Sequence, residues 1–394
     1  MTHPQFDKPD WVGEGGPVED GPELRARRVL VAWDVARGLA HAASRPGTAV
    51  SRALDAADGC VLGTPLVSPG AVPPVDRAAM DGYAVRGAGP WRVIGHVKAG
   101  AADPGLLEDG QATGIVTGAT VPAGATSVVR SEDAAVTCDR LDGPSQDGRH
   151  IRRAGEECKP GDQLLPAGVV VDPAVLGLAA TVGLNRLTVI PQPTVAALVT
   201  GDELVHRGPS GPGRVRDAIG PMLPGLISRA GAQAVPVQHL SDSREDLIQV
   251  LRETDAELIL VSGSSAAGPA DHLRPTLETL GAELIVDGVA CRPGHPQALA
   301  RLTDGRLVLG LPGNPFAALV AFLTLGVAAI MRMRGLALPE LTHIAVPGGI
   351  SCHPTNTRLV PVRLTPQGAV PIGHGGSAML RGPALADALA VVAP

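Results

Sequence analysis

Four stretches of this chain hold residue types that could do chemistry. Glu203, Asp217, Asp242 and Asp271 fall just after predicted strands or in the loops that follow them. Carboxylates beside a phosphate usually hold Mg2+, a hard cation that takes oxygen ligands; the alternative is four solvated loop acids. The run Ser262-Gly263-Ser264-Ser265-Ala266-Ala267-Gly268 is built from small residues. Such residues let backbone N–H groups approach an anion, and the hydroxyls add donors; the alternative is a flexible turn. Leu311-Pro312-Gly313-Asn314-Pro315 reads as a loop ending in a helix start, with Asn as cap and Pro in the first turn. There the alternative is a purely structural cap. The fourth stretch runs from Pro73-Pro74 through Asp76, Met80-Asp81-Gly82-Tyr83 to Val85 and holds the single tyrosine of the chain. Its Pro-Pro start and Asp-Gly step read as a loop, and loops on rigid scaffolds often carry function. Lysine occurs only at positions 8, 98 and 159, so a cation in a site would be Arg or His. No Walker A, GxSxG, HExxH or GxGxxG pattern is present.

The elements that must position these residues follow from apolar periodicity. Residues 24–43 read as a helix, and short Val/Ile pieces at 91–97, 113–116, 127–129 and 135–138 alternate with Gly and Pro turns as in an all-β segment. Residues 172–183 read as a helix with Pro173 near its start and Gly183 at its end. Beyond Pro191 strands (195–199, 234–237, 258–261, 306–309) alternate with helices (221–230, 244–253, 272–280, 315–330), the pattern of an α/β unit with a largely parallel sheet. In such a sheet ligands bind beyond the carboxyl ends of the strands, where the acid, Ser/Gly and Asn-Pro loops lie. Short strands at 344–346, 359–364 and 389–392 suggest a small C-terminal β domain.

Composition narrows the classes. The chain has 394 residues, 44% hydrophobic and 2% aromatic, enough for several aliphatic cores and two to four domains. The net charge of −6 without a basic run argues against nucleic-acid binding. No apolar run reads as long enough to cross a bilayer, and the polar N-terminus does not read as a signal peptide. Five cysteines without CxxC spacing fit reduced thiols in the cytoplasm rather than a disulfide or zinc framework.

The 73–85 stretch resembles the PPxDxSAMDGYA segment of the molybdopterin molybdenumtransferases, the MoeA family, which includes the C-terminal domain of gephyrin. The likeness continues in order through Val116-Thr117-Gly118-Ala119, Ile151-Arg152, Thr200-Gly201-Asp202-Glu203, Asp242, Asp271, Arg292-Pro293-Gly294-His295-Pro296, Pro312-Gly313-Asn314-Pro315, Arg358 and Gly376-Ser377. What the resemblance implies is an α/β plus β fold: an elongated multidomain subunit of a homodimer. Residues 1–21 would be a disordered tail, 22–48 with 146–190 a linking and dimerisation domain, and 49–145 a β-rich insertion. A MogA-like molybdopterin-binding domain would span 191–334 and a C-terminal β domain 335–394. The implied activity is insertion of molybdate into adenylylated molybdopterin with release of AMP, in the cytoplasm, supported by Mg2+ and by contact with other cofactor-biosynthesis proteins. In that scheme Asp202, Glu203, Asp242 and Asp271 face phosphate and metal, with Glu203, Asp242 and Asp271 as the Mg2+ ligands. Asp81 and Thr117 reach in from the other subunit. Gly263, Ser264, Ser265, Gly268, Pro312, Gly313, Asn314 and Pro315 shape the pocket, and Arg292, His295, Arg358 and Ser377 hold the oxyanion.

Several motifs depart from the family. Its KPGKP reads Arg292-Pro293-Gly294-His295-Pro296, its DSN reads Asp217-Ala218-Ile219, and its GGxSxGxxD runs from Gly263 to Asp271 with Ser264 and Ala266 at altered positions; its DNSAMDGYA begins Asp76-Arg77-Ala78. His295 in place of lysine predicts an anion site that tightens between about pH 8 and about pH 6. The departures also leave room for a relative repurposed to another anion or nucleotide, or for a protein-binding scaffold.

Overall fold

A computed structural model describes residues 30–100, 105–263 and 272–394. The expected tail at 1–21 and the first part of the expected helix at 24–43 lie outside these residues, as do Ser264, Ser265, Gly268 and Asp271.

The α/β unit is organised by side-chain alternation along its central strands, Thr194–Thr200, Leu258–Ser262 and Leu307–Leu311. Successive residues point to opposite faces. Val195, Ala197, Leu258, Leu260, Leu307 and Leu309 therefore enter one core. Ala196, Leu198, Ile259, Val261 and Val308 enter the other. Both faces are covered by helices, which is why these strands are apolar without a break. Truncating Leu260, fully buried in the first core, to alanine would cost about 2–5 kcal/mol. These three strands are parallel and in that order. Gln233–Ala234 and Gln238–Leu240 pair in parallel with the outer side of Thr194–Thr200. The expected strand at 234–237 is thus two short pieces flanking Pro236, which has no N–H for the ladder. At the other edge Ala298–Arg301 and Glu283–Asp287 run antiparallel, a hairpin the periodicity did not show.

Helix Arg244–Glu253 begins where its sequence predicts. Ser243 caps it by accepting from the Asp246 N–H at 3.1 Å, and Leu247 and Leu251, four apart, are buried in the second core. The helical run Pro315–Met333 has a mean hydropathy of 2.1 and the length to cross a bilayer, contrary to the expectation from sequence. It serves as a core helix, since 72% of its apolar window is buried inside the protein. A π-helical turn, Phe322–Gly326, interrupts it. Within that turn the Thr324 hydroxyl donates to Val320 O at 2.7 Å and accepts from Trp33 Nε1 at 3.0 Å. This buried link ties in helix Trp33–Ala43, whose Trp33, Ala36, Ala40 and Ala43 share the first core.

The expected N-terminal helix starts later than its periodicity suggests because Val31–Ala32 is a strand. It pairs with Val289–Arg292, which pairs in turn with Thr357–Thr365. Gly368–Pro371 and Ala388–Val392 complete a five-stranded sheet. Residues 344–346 form no strand. This sheet joins Val31–Ala32, an excursion of the α/β unit and the C-terminal segment.

The β insertion is a six-stranded sheet that includes Trp91–Val97, Gln111–Ile115, Gly82–Val85 and Ser127–Arg130. The 73–85 stretch is therefore not all loop, since Arg77–Ala78 and Gly82–Val85 are strands and only the turn between them projects. Gly82 is required by close approach: a Cβ there would lie 2.0 Å from the Val129 carbonyl oxygen. Between the insertion and the α/β unit, Val50–Ala53 and Val61–Leu62 pair with Arg186–Ile190 over a core that takes in Val175 and Ala179 of helix Pro173–Thr181. Asp172 caps that helix through the Val175 N–H.

Candidate functional site

Strand register builds the central feature. Arg292 and Arg358 are Cα partners on neighbouring parallel strands, so two guanidinium side chains spring from adjacent positions of one sheet. Both line a cavity of about 490 Å³ together with His295, Pro312, Asn314 and Ser377. No carboxylate lines it, and among the described residues neither arginine is paired with an acid. Arg358 Nη1 donates to the backbone carbonyl and the hydroxyl of Ser351, the latter at 2.7 Å, which aims the side chain.

The turn carrying Arg292 and His295 is braced from beneath. Gln297 is fully buried and its Nε2 donates to Gly294 O at 2.9 Å and contacts Cys291 Sγ at 3.3 Å. The Val289 N–H donates to His295 O at 3.0 Å. Gly294 sits at φ +102°, and a Cβ there would press on Ala317 O at 3.2 Å and Val320 Cγ1 at 3.3 Å. Glycine lets the turn lie against the core helix. Burial pushes the Cys291 thiol up to about 12, so it is a packed, unreactive group. Desolvation, and secondarily the charge of Arg292, holds His295 below the ordinary histidine range. Gln297 and Cys291 were not singled out from sequence; a polar residue inside an otherwise apolar strand approach was the only available sign.

At the mouth of the helix Pro315–Ala321 the Asn314 side chain makes no capping bond. The Ser377 carbonyl takes that role, accepting from the N–H groups of Phe316 at 2.9 Å and Ala317 at 3.1 Å. Asn314 is thereby left to face the cavity, and the purely structural-cap reading of its side chain does not hold. Pro315 supplies the fixed first helical position. Gly313 and Gly263 pack closely, the Cβ position of the former lying 3.8 Å from the Cα of the latter. Gly263, at φ +88°, leaves room for the Thr200 hydroxyl, which donates to Ser262 O at 2.8 Å.

The strand-end acids form a second feature. The Asp202 N–H donates to Asp242 Oδ2 at 3.2 Å and the Asp242 N–H donates to Asp202 Oδ1 at 3.3 Å, so the two loops hold each other. Arg214 Nη1 donates to Asp202 O at 2.5 Å. Glu203 is exposed. Glu203 and Asp242 are not drawn into a three-ligand cluster with any described residue. Asp217 is set apart from the other acids, buried at 5% exposure with both oxygens engaged. The neighbouring Ile219 side chain enters the first core.

In the insertion, Asp81 Oδ1 accepts from the Thr117 N–H at 2.6 Å and from the Thr117 hydroxyl at 2.7 Å. These bonds hold the Asp81 carboxyl below the usual carboxylate range. The pair is exposed and does not line the arginine cavity. The structure thus unites Arg292, His295, Pro312, Asn314, Arg358 and Ser377, joins Asp202 to Asp242, and joins Asp81 to Thr117.

These features define a multidomain α/β plus β protein with an arginine-lined cavity at the strand ends of its parallel sheet. Residues 31–183 match the MoeA N-terminal region (domain I and II), residues 196–332 the probable molybdopterin binding domain, and residues 347–394 the MoeA C-terminal region (domain IV). The chain is 38% identical over 291 residues to molybdopterin molybdenumtransferase 2 of Mycobacterium tuberculosis, covering 68% of this chain and 71% of that protein. It is 30% identical over 302 residues to a Staphylococcus aureus molybdopterin molybdenumtransferase, covering 73% and 72%. A crystal structure of the molybdopterin biosynthesis moeA protein of Pyrococcus horikoshii aligns with a TM-score of 0.72 at 27% identity, over 92% of this chain and 95% of that one. The chain belongs to the molybdopterin molybdenumtransferase (MoeA) family.

Proposed function

We propose that this protein inserts molybdate into adenylylated molybdopterin, with release of AMP, as a cytoplasmic homodimeric enzyme of molybdenum cofactor biosynthesis. The observation that carries this reading is the register pairing of Arg292 with Arg358 in a cavity that no acid lines. A tetrahedral oxometalate dianion needs cations and directed donors. The two guanidinium groups supply both, and Asn314 and Ser377 add polar side chains around them.

The organic substrate would lie along the strand ends, reaching from this cavity past Gly313 and Gly263 toward Asp202 and Asp242. The close packing of those glycines leaves backbone rather than side chains against it. Mg2+ is the metal this reading implies, and the donor set fits it. Asp202, Glu203 and Asp242 offer only oxygen, on adjacent loops open to solvent, and Asp271 would add a fourth carboxylate. When bound there, the ion would neutralise charge on the phosphoanhydride. Asp81 and Thr117 would act across the dimer interface, which accounts for a preformed, exposed acid–hydroxyl pair outside the arginine cavity.

The test is to supply the protein with adenylylated molybdopterin, Mg2+ and molybdate, and to measure AMP and pterin-bound molybdenum together. Molybdate-dependent AMP release, in step with molybdenum incorporation and requiring about tenfold more molybdate in Arg292→Gln, supports the reading. AMP release without any incorporation of molybdenum would remove it.

A further inference from the structure

We propose that His206, Asp217 and His239 form a binding site for a borderline divalent transition-metal ion such as Zn2+, separate from both the arginine cavity and the strand-end acids. The ligand atoms of the three residues all lie within 4.8 Å of one another. Asp217 Oδ2 is 3.1 Å from His239 Nε2 and 3.9 Å from His206 Nδ1. Ligands around a tetrahedral zinc ion are spaced at about 3.3 Å, given bonds of about 2.0–2.1 Å. The carboxylate–His239 edge matches that spacing, and the carboxylate–His206 edge is about 0.6 Å longer. His206 can close that gap, because its side chain is 45% exposed.

The fold prepares the carboxylate. Asp217 follows Val215–Arg216, which pairs in parallel with Leu204–Val205, and His206 follows the latter. His239 lies opposite Val199 on the neighbouring ladder. Asp217 Oδ1 accepts from the N–H groups of Ile219 at 3.0 Å and Gly220 at 2.9 Å, which fixes the carboxylate plane and leaves Oδ2 turned to the imidazoles. The His206 ring packs against the His239 ring with centroids 3.7 Å apart, and coordination would require His206 to swing away from that contact so that both nitrogens face the ion. Gly220, whose N–H approaches the carboxylate, leaves the Asp217 oxygen uncrowded. A Cβ at that position would lie 2.4 Å from Asp217 Oδ2 and 3.4 Å from His239 Nε2, crowding both ligand atoms. The buried carboxylate and two partly exposed rings leave the outer side open for water. Two imidazoles and one carboxylate select zinc-like ions over Mg2+, which prefers all-oxygen sites. His206 stands three residues beyond Glu203, and His239 three residues before Asp242. A bound ion would therefore clamp the two loops that carry the strand-end acids.

The experiment is calorimetric titration of the full chain, stripped with a chelator, with Zn2+ in the presence of excess Mg2+. One Zn2+ per chain should bind. His206→Gln and His239→Gln, both at partly exposed positions, should each weaken it at least about tenfold. Gly220→Ala should do the same. A variant with both exposed cysteines, Cys138 and Cys352, changed to serine should bind as tightly as the parent. Co2+ substituted at the site should show visible bands that both histidine variants lose. Absence of Zn2+ binding, or affinity unchanged in both histidine variants, overturns the proposal.

Discussion

His295 makes a prediction whose sign and size can be worked out. Its place in the cavity holds its pKa below the ordinary value, through desolvation first and the positive charge of Arg292 second. In the absence of ligand the ring is therefore neutral above about pH 6.5. A bound dianion favours the imidazolium and raises that pKa. Protonation and anion binding then support each other, so affinity increases as pH falls through the bound-state value. It levels off only below the free-state value. Because the free value is depressed, the tightening continues below about pH 6.5, lower than the window expected from an unperturbed histidine. Arg292 and Arg358 face the same cavity with charges that do not titrate in this range and set the affinity at high pH. One charge contact in a partly wet site is worth about 1 kcal/mol, so the total gain is about fivefold. Molybdate titrations from about pH 8 to about pH 5.5 read this directly. His295→Gln should remove the slope and keep the weaker affinity. His295→Lys should also remove it, at the tighter level, and raise turnover near pH 8. With the cavity empty, a depressed histidine has the opposite effect on folding: its stability is full above the ordinary value and declines as pH falls through it. A slope of equal size in His295→Gln, or tightening as pH rises, would refute the reasoning.

Other perturbations separate the remaining features. Arg292→Gln and Arg358→Gln should each weaken molybdate by about tenfold, the worth of one charge-assisted hydrogen bond at about 1.5 kcal/mol, without shifting the thermal midpoint by more than a degree or two. Gly294→Ala should destabilise the chain by about 1–3 kcal/mol, from a strained φ and the contacts with Ala317 O and Val320. It should also weaken molybdate, which calorimetry on the folded variant would show. Asp81→Asn keeps an oxygen to accept from Thr117, so it should fold normally yet lose at least about tenfold in turnover. If Asp81 acts across a dimer, mixing Asp81→Ala with Asp242→Ala protein should restore part of the activity, and a monomer in light scattering would contradict this.

What the sequence reveals, and what it does not, follows from the range of the interactions. The Arg244–Glu253 helix was legible because its signals are local: Ser243 as cap, acids in the first turn, and Leu247 and Leu251 four apart. The central strands were legible from unbroken apolar runs. Val31–Ala32 was not, since two residues pairing with a strand more than two hundred positions away leave no periodicity of their own. The hairpin of Glu283–Asp287 and Ala298–Arg301 was hidden because its outer strand exposes Glu283 and Leu284. At the site, the resemblance pointed to Arg292, His295, Arg358 and Ser377 one by one, and they line one cavity. Their meeting depends on a parallel pairing between segments some sixty residues apart. Gln297 could not be foreseen because its importance lies in being buried beneath the turn. Position before proline reads Asn314 as a cap while the resemblance places it in the pocket, and the carbonyl that takes the capping role comes from Ser377, across the fold. His206, Asp217 and His239 have no motif spacing and converge only through two short strand pairings.

The central claim is most directly tested by complementation. The gene for this chain, and its Arg292→Gln form, would be placed in a bacterial strain that lacks its own molybdopterin molybdenumtransferase, and a molybdoenzyme activity measured at limiting molybdate. The account predicts that the parent chain restores the activity and that the Arg292→Gln chain restores it only when molybdate is raised. No restoration by stably expressed parent protein at any molybdate concentration would contradict it.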